Sequence, residues 1–146
     1  MKKISLRVLS FFYFSIVIYV VFFARRRQQL VDFRNEINLF PFQDKINFIQ
    51  TSSIRSEADK YVFYSDFLGN IVMFIPFVFA VEWLVTKQYS NRFHILTLFL
   101  CSFSIESLQF IFNIGVFDID DLLLNTVGGL LGLLAFNFFN FKRLKS

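Results

Sequence analysis

The chain is short of the residues that most often build catalytic and metal centres. It has one cysteine, Cys101, and one histidine, His94, in 146 residues. A single cysteine excludes an intramolecular disulfide and any cysteine-based metal site. Cys101 lies inside an apolar run and reads as a small buried hydrophobe. No Gly-x-Ser-x-Gly, phosphate-binding loop or His-Glu-x-x-His is present. Charge is sparse as well, at 18% of residues. The balance is +4, but no groove of interleaved basic and aromatic residues suits a nucleic acid. Only two prolines occur, Pro41 and Pro76.

What the chain has in excess is apolar material. Hydrophobic residues make up 55% of it, 24 of them phenylalanine, and the mean hydropathy is +0.55. The apolar residues fall into long runs, which points to an all-α integral membrane bundle of one domain spanning residues 1–146. Four spans are expected, at about 8–24, 67–85, 93–112 and 122–141. The first follows a short basic start and could be taken for a signal peptide. It is long for that, and FFARRR offers no small-x-small cleavage site, so an uncleaved span is expected. Pro76 should kink the second span. Gly115 should stop the third.

Residues 25–66 form a long mixed-charge loop. Within it, Ser52 to Tyr64 fits a short interfacial helix, with Tyr61 and Tyr64 at the headgroup level. Four spans put both termini on one side. The tails and the Lys87/Arg92 loop hold eight basic residues, and the long loop holds seven: Arg25, Arg26, Arg27, Arg34, Lys45, Arg55 and Lys60. The short loop 115–121 has acids and no base, so the termini are expected to be cytoplasmic.

Polar residues inside the runs recur at helical spacing. Glu106, Gln109 and Asn113 stand at i, i+3 and i+7 of the third span. Asp118, Asp121 and Asn125 repeat that spacing at the start of the fourth. Gly128 and Gly132 continue it as a Gly-x-x-x-Gly that permits close helix approach. Asn70 is placed near the start of the second span, and Asn38, Pro41 and Phe42 in the loop before it. The second and fourth spans start on the long-loop side and the third ends there. These residues therefore meet in one leaflet, whichever way up the protein sits. Each also has a plainer reading. Asp118 can cap the fourth helix, with Asp120 and Asp121 favoured by its dipole. Gln109, Asn70 and Asn125 can bond between helices. Glu106 is harder to dismiss, since an acid within a span costs about 2.5–3.5 kcal/mol on insertion scales. His94 reads as interfacial, and Glu82 as part of the opposite surface.

Four blocks at these positions resemble the VanZ-like family of bacterial membrane proteins. They are Asn38-Leu39-Phe40-Pro41-Phe42, Asn70 to Phe77, Glu106-Ser107-Leu108-Gln109 and Phe117 to Gly129. They occur in family order, and the fourth is the most specific. Two departures stand out. The family's arginine shortly before the acidic block is missing from Asn113 to Phe117, and Val78 stands where glycine usually follows Pro-Phe. Arg34, Arg55 or Lys60 is a candidate to replace the arginine.

The resemblance implies a multi-pass protein of the bacterial cell membrane, related to one associated with resistance to teicoplanin-type glycopeptides. It lends no catalytic residue. Three functions remain open. The preferred one is non-enzymatic, with a lipoglycopeptide or a lipid-linked wall precursor bound at the polar cluster beside membrane lipid. The second is an intramembrane enzyme using Glu106, Asp118 and Asp121. No cofactor is expected for the first, whereas a divalent cation at the acids would serve the second. The third is a small transporter or a subunit of a larger complex. An oligomer is compatible with any of them.

Overall fold

In the computed structural model, which describes residues 2–24, 37–85 and 89–145, the apolar runs are helices. In chain order the elements are α1 (Lys2–Tyr19), β1 (Ile37–Asn38), α2 (Gln43–Gln50), α3 (Glu57–Phe74), α4 (Phe77–Leu84), α5 (Asn91–Ile111), β2 (Phe117–Asp118) and α6 (Ile119–Lys145). A π-helical turn, Val20–Ala24, ends α1. Among the described residues, four stretches are long and apolar enough to cross a membrane: Lys3–Phe23, Glu57–Leu84, Asn91–Ile111 and Ile119–Asn140. The fold is nearly all-α, and the chain is a multi-pass membrane protein.

The second span differs from expectation at its start. Ser52 to Tyr64 does not make a separate interfacial helix. A single 3-10 turn, Ser52–Ile54, precedes α3, which begins at Glu57 and runs on into the apolar stretch. Ser56 caps it, accepting from the Asp59 amide while Asp59 accepts from the Ser56 amide. Asn70 is consequently well inside a helix rather than near its start.

Pro76 separates α3 from α4. Lacking an N–H, it cannot donate to the Val72 carbonyl, which accepts from Ile75 N instead at 3.3 Å. Beside the break, the Tyr13 hydroxyl of α1 donates to the Met73 carbonyl at 2.8 Å. A neighbouring helix thus supplies the bond that lipid could not.

α3 and α6 make the most extensive pair, with α1 against α4 and α5 against α6. The glycines explain the closeness of α3 and α6. A Cβ on Gly128 would collide with the Ile71 carbonyl oxygen, and one on Gly132 with that of Ile75. Both glycines are therefore used within the chain. The core between the helices comprises Val17, Val21, Phe74, Phe77, Val78, Leu98, Ile105 and Leu133. Val78 is fully buried in it. Cys101 is half-buried at the edge of this core. Outside it, Phe11, Phe12, Phe99, Phe103, Phe138 and Phe139 face outward, as a lipid-facing surface requires.

The third span stops one step earlier than expected. α5 ends at Ile111, and Asn113 takes the left-handed conformation, φ 52°. Ile114 N donates to the Gln109 carbonyl and Asn113 N to that of Phe110. This is a Schellman closure with asparagine in the position glycine usually fills. Asn113 is exposed and leaves the Glu106/Gln109 face, and Gly115 has no positive φ.

Candidate functional site

The site is built where α6 begins. Asp118 precedes its first turn and accepts from the Asp120 amide at 2.9 Å, a side-chain N-cap. Asp120 and Asp121 occupy the first turn, where the exposed helix amides favour acids. The plain reading of these residues thus holds for their backbone geometry. Their carboxylates do more.

The segment from Ile37 to Gln50 crosses this end of the bundle as a strap. β1 pairs in parallel with β2, Ile37 opposite Phe117 and Asn38 opposite Asp118. Asn38 Oδ1 accepts from Phe40 N, closing a tight turn, and its amide nitrogen lies 3.3 Å from both Asp44 Oδ2 and Asp118 Oδ1. Pro41 follows, and then Phe42 with φ 60°, a conformation costly for a bulky residue. Its amide donates to Asp120 Oδ1 at 2.6 Å, which holds it there. The Asn38–Phe42 block is therefore a docking strap for the acidic block, 78 to 80 residues away in sequence.

The strap also brings the missing cation. Lys45, the only buried residue of α2, places Nζ 3.2 Å from Asp120 Oδ2 and 3.8 Å from both Asp118 Oδ2 and Asp121 Oδ1. Of the three loop bases expected for this role, the two that are described are paired elsewhere. Arg55 lies over the Phe48 ring and bonds to Thr51, and Lys60 pairs with Glu57. Arg34, like Arg25 to Arg27 and Lys87, lies outside the described residues. Burial alone would lower the Lys45 pKa, but Asp118, Asp121 and Asp120 outweigh it and hold it above the usual lysine value. Asp118 is pushed up to about 6, by burial and by the charge of Asp121, against the Asp120 amide and Lys45. Among the described residues, no group of three or more His, Cys, Asp or Glu side chains is placed to hold a metal ion.

Beside the strap is a cavity of about 1000 Å³. Of the residues expected at the site, Asn38, Gln109, Asp118 and Asp121 line it. Asp44, Phe48, Asp59 and Phe63 line it too, and the sequence reading missed them. Gln109 also donates to the Val21 carbonyl at 3.0 Å, fastening α5 to the end of α1. Glu106 is buried behind the cavity, its Oε2 accepting from the Asp118 amide at 3.3 Å. Asn125 lies deeper, donating to Ser102 Oγ, which in turn reaches the Leu122 carbonyl. Asn70 is buried among the helices and does not line the cavity.

A second polar pair lies at the far end of the bundle. His94 and Glu82 read from the sequence as surface residues, yet both side chains are buried and bonded to each other, Nε2 to Oε1 at 2.8 Å. Glu82 also accepts from the Tyr89 amide, pinning the connection between α4 and α5.

The profile of the VanZ/LLP1 family matches residues 10–140. Protein VanZ of Enterococcus faecium is 30% identical over 143 residues, covering 96% of this chain and 78% of that protein. No solved structure matches the chain.

Proposed function

Because the chain belongs to the VanZ/LLP1 family, we propose that it acts at the bacterial cell envelope by holding the polar part of an amphiphile. The ligand class is a lipoglycopeptide or a lipid-linked wall precursor, and the outcome is lowered susceptibility to teicoplanin-type glycopeptides. The carrying observation is the cavity. It is lined both by the carboxylates and amides of Asn38, Asp44, Gln109, Asp118 and Asp121 and by the apolar side chains of Phe40, Phe48, Val62 and Phe63. That mixture suits a ligand with a polar head and an apolar tail. We take both termini as cytoplasmic, the orientation that would put the cavity on the outer side, where such ligands are found.

The test is teicoplanin susceptibility in cells making wild type, Asp121→Ala or no protein, with membrane levels matched by blot. Wild type alone is expected to protect. Equal protection by both proteins makes the acid structural. No protection by either removes the glycopeptide from the proposal.

One observation favours a second reading, an intramembrane enzyme. Asp118 lines the cavity with a pKa raised to about 6, close to where a general acid or base is most effective. In that reading Asp118 exchanges a proton with the bound ligand, while Glu106, on its amide, is a positioning residue. A divalent cation would have to displace the Lys45 ammonium to reach these acids. The two readings separate on whether a new product forms from a lipid-linked precursor.

A further inference from the structure

The strap helix α2 has four different flanks. Lys45 points onto the acids of α6. Asp44 and Phe48, four apart, line the cavity. Gln43, Asn47 and Gln50 form a polar, exposed side. Ile46 and Ile49, three apart, form the remaining flank and are 51% and 59% exposed. Of α2, only Lys45 is buried, and Phe48 is half-buried.

The position of α2 says what covers the isoleucines. Its N-terminal end bonds to Asp120 in the first turn of α6, where the apolar stretch of that span begins. Its other end reaches α3, Phe48 stacking on Phe63 at 4.2 Å between ring centroids. The helix therefore lies across the bundle at the level where two spans enter the membrane. Exposed apolar residues also occur on either side of it in sequence, Leu39 before and Ile54 after. An apolar flank beside polar neighbours, at that depth, matches a helix lying in the membrane interface.

We propose that α2 is an interfacial helix, and that lipid of its own leaflet covers the Ile46/Ile49 flank. The wall between the cavity and the lipid is then one helix thick, with acids on one side and acyl chains on the other. This inference concerns the membrane and stands whether or not the proposed ligand is correct.

The test uses the full chain with Cys101→Ala and a single cysteine at Ile49, Ile46 or Asn47. Each is labelled with the fluorophore NBD and reconstituted into phosphatidylcholine–phosphatidylglycerol vesicles. All three positions are exposed, so the substitutions leave the packed core intact. Lipid carrying a doxyl quencher is expected to quench NBD at positions 49 and 46 about threefold more than at 47, and aqueous iodide to show the reverse order. Iodide quenching at 49 equal to that at 47 would place the flank in water and overturn the proposal. Quenching by neither agent, relieved when the protein is diluted in lipid, would show that a second copy covers the flank and would also overturn it.

Discussion

At the scale of single residues, the chemistry centres on the Lys45 ammonium. Asp118, Asp120 and Asp121 are drawn into one small volume, and like charges there repel unless a cation intervenes. Lys45 has 11% of its side chain exposed and Asp120 none, so water screens the pair poorly. Breaking such a pair leaves a buried charge uncompensated. Lys45→Met keeps the apolar stem and is expected to destabilise the protein by about 3 kcal/mol. The measurement is the unfolding midpoint in detergent, and an unchanged midpoint contradicts the arrangement. Adding Asp120→Asn removes one of the stranded charges and should recover part of the loss. The sequence showed the acids plainly, because carboxylates at the mouth of an apolar run are conspicuous. It did not show their cation. Seven bases occur between Arg25 and Lys60, and neither hydropathy nor spacing ranks them. The available signal was adjacency: Lys45 follows the Asn38–Phe42 block that docks on the acids.

At the scale of elements, helix contact rests on backbone meeting backbone. Gly128 and Gly132 face carbonyl oxygens of α3 and of its junction with α4, which cannot swing aside. Gly129 faces the buried Leu98 side chain, which can shift more readily than a backbone carbonyl. Gly128→Val is therefore expected to cost about 1–3 kcal/mol or to prevent folding, and Gly129→Ala to cost less. Folded yield from membranes and the unfolding midpoint check this order, and the reverse order contradicts it. Pro76 and the Gly-x-x-x-Gly were legible because each acts through local sterics. The start of α3 was not. Asp59, Lys60 and Asp66 lower the hydropathy of its first turns, so the helix appears to begin at Phe67, although the Ser56–Asp59 capping box marks the true start. The end of α5 was misread for a related reason. Asn113, not Gly115, takes the left-handed position, one of the few residues that does so at small cost.

At the scale of the whole molecule, topology alone brings the polar residues of α5 and α6 to the long-loop side, and that convergence was readable from the order of spans. What topology could not give was depth. Asn70 and Asn125 are packed inside the bundle, while Asn38, Gln109, Asp118 and Asp121 reach the cavity. Nor could it reveal that Glu82 and His94, twelve residues apart, close on each other at the opposite end. The cavity is the central claim, and Val116 lines it without belonging to the acid–lysine group. The most direct measurement is the affinity of fluorescent teicoplanin for protein reconstituted in vesicles, comparing wild type, Val116→Ala and Val116→Trp. Filling the cavity with tryptophan is expected to weaken binding at least about tenfold, or 1.4 kcal/mol, while alanine leaves it near wild type. Equal affinity in all three would contradict the account, because the ligand would then be bound elsewhere.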